Sequence, residues 1–211
     1  DKDLSKKIFI KNNILTPKYL KFSYRNNINK LKLINNLKKK IGFPLVVKPL
    51  NEGSSVNVFI CNKNNVLKTL KKLKDYGEVL LEKYIPGREI QVAILADKIL
   101  GAIELRPTRK FYDYEAKYNP KAKTKHIIPV AMSKNKYQEV TKIALKAHKI
   151  LNCRGVTRSD FRFYKNKFYL LETNTQPGMT SLSLVPEIAN FNNITFKNLI
   201  KKILEDASIN K

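Results

Sequence analysis

The spacing of apolar positions along the chain predicts an alternation of short helices and strands. Apolar residues recur every three to four positions in helices, and at every second position or in continuous runs in strands. The predicted helices cover residues 3–13, 29–41, 64–77, 136–151 and about 195–206. The predicted strands cover residues 43–50, 56–61, 78–85, two runs within 88–107 joined by a turn at 97–98, 156–164 and 168–174. Residues 109–129 show no clear period and are predicted to form a long loop.

This order of elements predicts an α+β protein of two lobes with mostly antiparallel sheets. We place the boundary near residue 90, which gives lobes of residues 1–90 and 91–211. The 211 residues provide ample material for a core, and the hydrophobic content of 43% excludes a disordered chain. No apolar stretch approaches the ~20 residues needed to cross a bilayer, and no signal-peptide pattern opens the chain. We therefore expect a cytoplasmic protein without a membrane partner.

The formal net charge of +25 raises the question of an anionic partner. The lysines are scattered along the whole chain and accompany an excess of Asn and Ile, which is typical of a compositional bias toward AT-rich codons. We therefore expect no specific nucleic-acid partner, although binding of nucleic acid through the lysine surface stays open as a rival hypothesis. A small anionic molecule fits the charge equally well.

The segment "VTRSDFRFYKNKFYLLETNT" predicts a β-hairpin with two chemically different faces. A three-residue loop, residues 165–167, sets the register of the two strands. The apolar pairs predicted by this register are Tyr164–Phe168, Phe161–Leu171 and Phe163–Tyr169. The polar pairs predicted on the other face are Asp160–Glu172 and Arg158–Asn174. Aromatic and aliphatic residues thus lie on one side and carboxylates on the other.

Two opposed carboxylates need a positive partner. At ~4 Å and an effective dielectric constant of about 20, Asp160 and Glu172 repel each other by roughly 4 kcal/mol. A salt bridge from Arg158 is one solution. The other is a divalent metal ion, because two carboxylates and the amide oxygen of Asn174 form an oxygen-only set of the kind that Mg²⁺ or Mn²⁺ prefers. Magnesium usually shares its remaining positions with nucleotide phosphates.

A second candidate element of a nucleotide site lies earlier in the chain. Lys48 ends the strand "LVVK" and precedes the small, flexible loop "NEGSSV". The backbone N–H groups and hydroxyls of Gly53, Ser54 and Ser55 are suited to contact phosphate oxygens. An ordinary hairpin turn explains the same loop equally well.

Five segments in this order resemble the D-alanine–D-alanine ligases of the ATP-grasp superfamily. They are "KPLNEGSSV", "EKYIPGREIQVAIL", "FYDYEAKY", "GVTRSDF" and "LLETNTQPGMTSLSLVP". The resemblance extends from "DKDLSKK" almost to the C-terminus and implies an ATP-grasp fold whose two lobes enclose the nucleotide. It implies ATP-dependent joining of two D-alanines, through an acyl phosphate, for peptidoglycan synthesis.

The resemblance also implies roles for individual residues. Asp160, Glu172 and Asn174 would hold two Mg²⁺ (or Mn²⁺) ions. Arg158 and the backbone N–H of Gly178 would stabilise the transferring phosphoryl group and the oxyanion. The residues implied in ATP binding are Lys2, Lys48 and Lys117 at the phosphates, Glu82, Lys83 and Ile85 at the adenine, and Glu89 at the ribose.

Substrate residues follow from the same resemblance. Ser183 and Leu184 match the positions that receive the carboxylate of the second D-alanine, and Ser54 and Tyr118 match a hydrogen-bonded pair near the amino-acid site. Gln176 and Leu182 depart from the commoner family residues Ser and His. Neither position is an expected ligand.

The family has a further N-terminal domain before the segment matched by Asp1, and this domain supplies a glutamate that orients the first D-alanine. The chain therefore resembles the central and C-terminal lobes. Two alternatives stay open: a ligase for another amino or hydroxy acid, and an ATP-binding fragment that is inactive without the N-terminal domain. A homodimer of the full-length protein also stays open.

Overall fold

The computed structural model describes residues 1–25, 29–53, 55–106 and 124–207, which form two antiparallel sheets flanked by helices. The helices are α1 (Lys2–Lys11), α2 (Lys30–Lys40), α3 (Val66–Lys72), α4 (Lys134–Ile150), α5 (Leu184–Phe191) and α6 (Phe196–Asp206), with a 3-10 turn at Lys74–Tyr76. The strands are β1 (Tyr19–Ser23), β2 (Leu45–Pro49), β3 (Phe59–Cys61), β4 (Glu78–Lys83), β5 (Arg88–Leu95), β6 (Lys98–Arg106), β7 (Lys125–Ile127), β8 (Val156–Tyr164) and β9 (Lys167–Asn174).

The N-terminal sheet has the strand order β1-β4-β2-β3. Its central strands, β2 and β4, are apolar and almost entirely buried. The helices α2 and α3 cover one face of this sheet, where Leu37 and Leu70 pack against Leu45, Val47 and Leu81. Burial of this apolar face is the main stabilising contribution to the N-terminal lobe.

The C-terminal sheet has the strand order β7-β6-β5-β8-β9. Both of its faces are covered, which explains why β5 is apolar and buried along nearly its whole length. On one face, α4 packs against a cluster that includes Ile90, Val92 and Phe161. On the other face, α5 and α6 pack against a cluster that includes Ile103 and Leu105.

Helix α1 joins the two sheets. The side chain of Asp1 caps it by accepting hydrogen bonds from the backbone N–H groups of Asp3 and Leu4. Phe9 is fully buried in the cluster beneath α4. The segment after the helix also contacts the C-terminal sheet, because the backbone N–H of Leu170 donates to the carbonyl of Leu15 at 2.9 Å.

Most of the predicted helices and strands are present in the structure, with ends that differ by a few residues. Strand β1, strand β7 and helix α5 were not predicted, and the strand predicted over 56–61 forms only at Phe59–Cys61. Strand β7 lies inside the predicted loop 109–129. Residues 109–123 of that loop lie outside the described residues. These short elements have little periodicity of their own. They depend on pairing with β4, β2 or β6, or on packing over the sheet.

The predicted loop of the β8–β9 hairpin is wrong. The chain turns through two residues, Lys165 and Asn166, both with positive φ, and Tyr164 pairs with Lys167. Near the turn the observed pairs are therefore Phe161–Leu170, Arg162–Tyr169 and Phe163–Phe168. A β-bulge between Asp160 and Phe161 then shifts the register by one residue, which leaves Asp160 opposite Glu172 and Arg158 opposite Asn174 as predicted.

The change from one sheet to the other falls between Lys83 and Arg88. Residue 90 lies within β5, and the division of the chain into lobes of 1–90 and 91–211 stays a prediction. Across the described segments, no helix is both long and apolar enough to span a membrane.

The turn between the sheets depends on Gly87. Its φ is +111°, and a Cβ at this position would lie 2.3 Å from the carbonyl oxygen of Phe163. Because both the backbone angle and the contact exclude a side chain, Gly87→Ala is expected to lower the free energy of unfolding by about 2 kcal/mol or more. Urea denaturation measures this change. Gly53→Ala is the control, since nothing lies within 4 Å of its Cβ position, and equal stability of the two variants would contradict the prediction.

Candidate active site

Strands β8 and β9 form a polar corner of the C-terminal sheet. Asp160 lies directly opposite Glu172, and Arg158 lies opposite Asn174. Opposed residues of antiparallel strands share a face, as do residues two apart on one strand. All four side chains therefore lie on one face, and Asp160 and Glu172 line the cleft between the two sheets.

Arg158 holds the Asp160 carboxylate with two hydrogen bonds. Its Nε donates to Oδ1 at 2.8 Å and its Nη2 donates to Oδ2 at 3.0 Å. Nδ2 of Asn174 also donates to Oδ2, at 3.3 Å. The salt bridge of Arg158 that was considered from the sequence is thus present, and its partner is Asp160. Within the described residues, no group donates a hydrogen bond to the carboxylate of Glu172.

The donor set of this corner fits a hard divalent cation. Its oxygens belong to two carboxylates, Asp160 and Glu172, and one amide, Asn174. The described residues contain no cluster of three His, Cys, Asp or Glu side chains that would form a complete metal cage. Magnesium typically binds through one or two carboxylates and takes its other ligands from phosphates and water. The corner therefore suits a metal ion that arrives with a nucleotide.

A buried ion cluster lies on the N-terminal side of the cleft. Nζ of Lys48 on β2 lies 2.6 Å from Oε1 of Glu82 on β4, and Nζ of Lys6 on α1 lies 2.9 Å from Oε2 of the same carboxylate. All three residues are buried, and Lys6 is completely so. Its Nζ also donates to Oγ1 of Thr16 at 2.6 Å.

The charges in this cluster shift one another's pKa values. Burial works to raise the pKa of Glu82, but the positive charges of Lys48 and Lys6 outweigh it and lower the pKa to about 2. Burial works to lower the pKa of Lys48, yet the negative charges of Glu82, Glu172 and Asp160 raise it above its ordinary value. Burial dominates at Lys6, whose pKa is lowered. Lys48 is therefore held firmly as a cation beside the carboxylates.

A cleft that opens to solvent lies between the two sheets. Eight of the residues predicted to bind nucleotide or metal line it: Lys2, Lys48, Glu82, Lys83, Ile85, Glu89, Asp160 and Glu172. Gly53 of the small-residue loop lies in the same wall. Lys2 is anchored there, because its Nζ donates to the backbone carbonyls of Leu50 and Glu52. The cleft thus combines cations and carboxylates at one end with the apolar Ile85.

The predicted adenine and ribose residues have further contacts. Nζ of Lys83 donates to the carbonyl of Phe43 at 2.9 Å, which ties its side chain to the backbone. Glu89 is buried, and Nη2 of Arg162 lies 2.9 Å from its Oε2. Arg162 also lines the cleft and donates to the carbonyl of Gly87 at 3.2 Å.

The predicted acceptor residues lie beyond the cleft, at the start of α5. Ser183 is the N-cap residue of that helix, and its Oγ accepts a hydrogen bond from the backbone N–H of Thr180 at 3.0 Å. Gly178 lies beside it, because a Cβ there would approach this Oγ to 2.8 Å. Leu184 is buried in the core beneath α5, so its backbone, and not its side chain, is available to a substrate carboxylate.

Three predicted site residues lie outside the described residues: Ser54, Lys117 and Tyr118. Their roles stay predictions.

The sequence reasoning missed Lys6 and Arg162. Lys6 follows Lys2 by four residues on α1, so both lie on one helical face; this spacing was the available signal. Arg162 follows Asp160 by two residues on β8 and shares its face. Gln91 was also missed. It is fully buried opposite Asp160 on β5, and its Oε1 has no hydrogen-bond partner in the described part of the chain.

Known proteins with the same architecture cover nearly the whole chain. The structure superimposes with a TM-score of 0.85 on D-alanine–D-alanine ligase from Bacillus anthracis, at 36% identity over 98% of this chain and 66% of that one. A structure of the Bacillus anthracis ligase complexed with ATP gives a TM-score of 0.81 at 31% identity, over 98% of this chain and 65% of that one. A D-alanine–D-alanine ligase from Pelagibacter ubique is 65% identical over 211 residues, all of this chain and 69% of the relative.

The two antiparallel sheets and the charged cleft between them define an ATP-grasp protein, as the sequence predicts. The family model "D-ala D-ala ligase C-terminus" matches residues 8–205. The chain belongs to this family, which confirms the resemblance found in its motifs. It spans about two thirds of the length of these relatives.

The buried cluster around Glu82 generates a prediction about acid stability. The pKa of this carboxyl is about 2 in the folded protein and 4.5 ordinarily, so below pH 4.5 the unfolded chain takes up a proton that the folded one excludes. Its stabilising contribution, on the order of 3 kcal/mol, is present above pH 4.5 and is lost as the pH falls toward 2. Glu82→Gln is therefore expected to be less stable than the wild type at neutral pH, by a margin that shrinks in acid.

Chemical denaturation at a series of pH values measures this margin. Glu78→Gln is the control, because Glu78 pairs with Lys21 at an exposed site, where an ion pair contributes at most about 1 kcal/mol. A margin for Glu82→Gln that is independent of pH would contradict the assignment.

Proposed function

We propose that this chain is the nucleotide-binding and catalytic part of a ligase that joins two D-alanines with hydrolysis of ATP to ADP and phosphate. The observation that carries the proposal is the cleft in which Asp160 and Glu172 lie together with Lys2 and Lys48. The ATP-bound relative with the same fold supports the nucleotide. The names of the relatives support D-alanine as the substrate.

ATP is proposed to lie along the cleft, with its triphosphate at the cations and its base near Ile85. Lys2 and Lys48 are the proposed phosphate ligands, since both line the cleft. Lys48 is buried there, and Lys2 is half-buried. Glu89 is proposed to bind the ribose, while Arg162 neutralises and orients its carboxylate. Glu82 contributes by holding Lys48, and its backbone together with Lys83 forms the wall beside the adenine.

Asp160, Glu172 and Asn174 are proposed to hold two Mg²⁺ or Mn²⁺ ions. Such ions, when bound, supply positive charge between the phosphate oxygens and so favour phosphoryl transfer. The chain's own contribution is to fix the ligands: Arg158 and Asn174 hold the oxygens of Asp160, and the carboxylate of Glu172 is left available.

The reaction is proposed to proceed in two steps. The carboxylate of the first D-alanine attacks the γ-phosphorus of ATP, which gives an acyl phosphate and ADP. The amine of the second D-alanine then attacks the acyl carbon, phosphate leaves with the bonding electron pair, and the amine loses a proton. Catalysis of this kind is mainly positioning and charge stabilisation.

The remaining residues are proposed to stabilise charge and hold substrate. Arg158 and the backbone N–H of Gly178 stabilise the negative charge of the reacting groups. Ser183 and the backbone of Leu184 receive the carboxylate of the second D-alanine, and Ser54 and Tyr118 lie at the amino-acid site. The product would serve peptidoglycan synthesis in the cytoplasm.

Glu172→Gln tests the metal corner. The exchange keeps the size of the side chain and removes its charge, so the rate of D-alanine-dependent phosphate release from ATP is expected to fall by about 100-fold or more. The thermal midpoint is expected to change little, because Glu172 lies at the edge of the cleft. Glu205→Gln on α6, at an exposed ion pair, is the control. A normal rate in Glu172→Gln would rule out the assignment.

A second candidate function is suggested by the finding that the chain spans about two thirds of the length of its relatives. In that case the chain binds Mg-ATP and turns over only together with a further domain. Calorimetry with ATP beside the phosphate-release assay separates the two: ATP binding without release supports the second candidate. Replacement of the acceptor by D-serine or D-lactate tests the alternative substrates.

A further inference from the structure

Lys6 is a completely buried lysine that does not itself line the cleft. Its Nζ lies 2.9 Å from Oε2 of Glu82, donates to Oγ1 of Thr16 at 2.6 Å, and lies 5.6 Å from the ring centroid of Tyr19. A buried ammonium group is strongly unfavourable unless it is paired and hydrogen-bonded. A methionine or leucine would fill the same space without this cost, so the geometry points to a use for the charge.

Lys6 and Lys48 are both paired with the carboxylate of Glu82. Oε2 of Glu82 faces Lys6, and Oε1 lies 2.6 Å from Nζ of Lys48. Among the described residues Oε2 has no hydrogen-bond partner, so its contact with Lys6 is an ion pair. A carboxylate with a cation at each oxygen has a restricted orientation, which in turn restricts the ammonium group of Lys48. Unlike Lys6, Lys48 lines the cleft.

We infer that Lys6 is a positioning residue for the triphosphate: it holds Glu82, and Glu82 holds the ammonium group of Lys48 toward the nucleotide. The inference rests on the proposed function, because it takes the cleft to be an ATP site. It adds a residue that contacts neither nucleotide nor substrate. Without Lys6, Oε2 of Glu82 is left buried and unpaired, so the carboxylate draws Lys48 away from the phosphates.

Helix α1, which carries Lys6, contacts both sheets. The same helix carries Lys2 into the cleft and buries Phe9 in the core of the C-terminal sheet. The contact of Lys6 with Glu82 on β4 therefore links the helix to the N-terminal sheet at the level of the phosphate site.

Lys6→Met tests the inference, since it keeps the length of the side chain and removes the ammonium group. Calorimetric titration with ATP in the presence of Mg²⁺ is expected to show a Kd about 10-fold higher than for the wild type, because the ion pair that positions Glu82 and Lys48 is lost. Lys7→Met is the matched control on the same helix, where the exposed Lys7 pairs only with Asp3 among the described residues. Its Kd is expected to equal that of the wild type. An unchanged Kd in Lys6→Met would overturn the inference.

A double-mutant cycle with Glu82→Gln distinguishes positioning from a general loss of structure. Because Lys6 acts through Glu82, adding Lys6→Met to Glu82→Gln is expected to raise the Kd less than 2-fold further. Full 10-fold losses in both backgrounds would mean that Lys6 acts independently of Glu82, and the inference would be wrong.

Thr16→Val covers the case in which Lys6→Met does not fold. It removes one acceptor of the Lys6 ammonium group with little change of shape, and a Kd about 2-fold to 3-fold higher is expected; an unchanged Kd would overturn the inference. The wild type provides the remaining distinction. Failure of the wild type to bind ATP would refute the proposed function, whereas normal ATP binding by both wild type and Lys6→Met would refute the role of Lys6 alone.

Discussion

The direct opposition of two carboxylates across β8 and β9 is the constraint on which the site depends. Asp160 and Glu172 occupy facing positions of an antiparallel pair, where like charges are destabilising. The surrounding groups compensate in different ways. Arg158 is bound to Asp160, while the charge of Glu172 acts on the lysines across the cleft. Among the described residues, the carboxylate of Glu172 accepts no hydrogen bond, which is why the proposed function places a cation beside it.

The rest of the fold brings positive charge to this corner and holds the lysines in place. Lys48 comes from the N-terminal sheet and Lys2 from α1, so both elements converge on carboxylates of the C-terminal sheet. Glu82 restrains Lys48, and Lys6 restrains Glu82. Phosphate binding in the proposed function is therefore a property of two lobes held together, and the buried ion cluster belongs to the same electrostatic unit as the metal corner.

The sequence predicted the fold class, the family and the polar pairs of the hairpin. These follow from sequence motifs and from the alternation of apolar and polar residues, which are visible within short segments of the chain. The sequence did not predict the two-residue turn. The register shift at the bulge between Asp160 and Phe161 compensates for the shorter turn, so the polar pairs are the same with either turn. The amino-acid composition of the segment does not indicate a bulge. The sequence reasoning also missed the ion pairing of Lys6. That contact joins residues distant in sequence, and one lysine among many carries no signal of burial. Strand β1 was missed because its pairing with β4 is equally non-local.

The central claim is that carboxylates and lysines meet around a nucleotide that carries a divalent ion. The dependence of ATP affinity on Mg²⁺, measured by titration calorimetry with the metal and with a chelator, tests it most directly. The account predicts that the affinity for ATP is at least about 10-fold higher with Mg²⁺ than without it, because Glu172 otherwise repels the triphosphate. Equal affinity with and without the metal would contradict it.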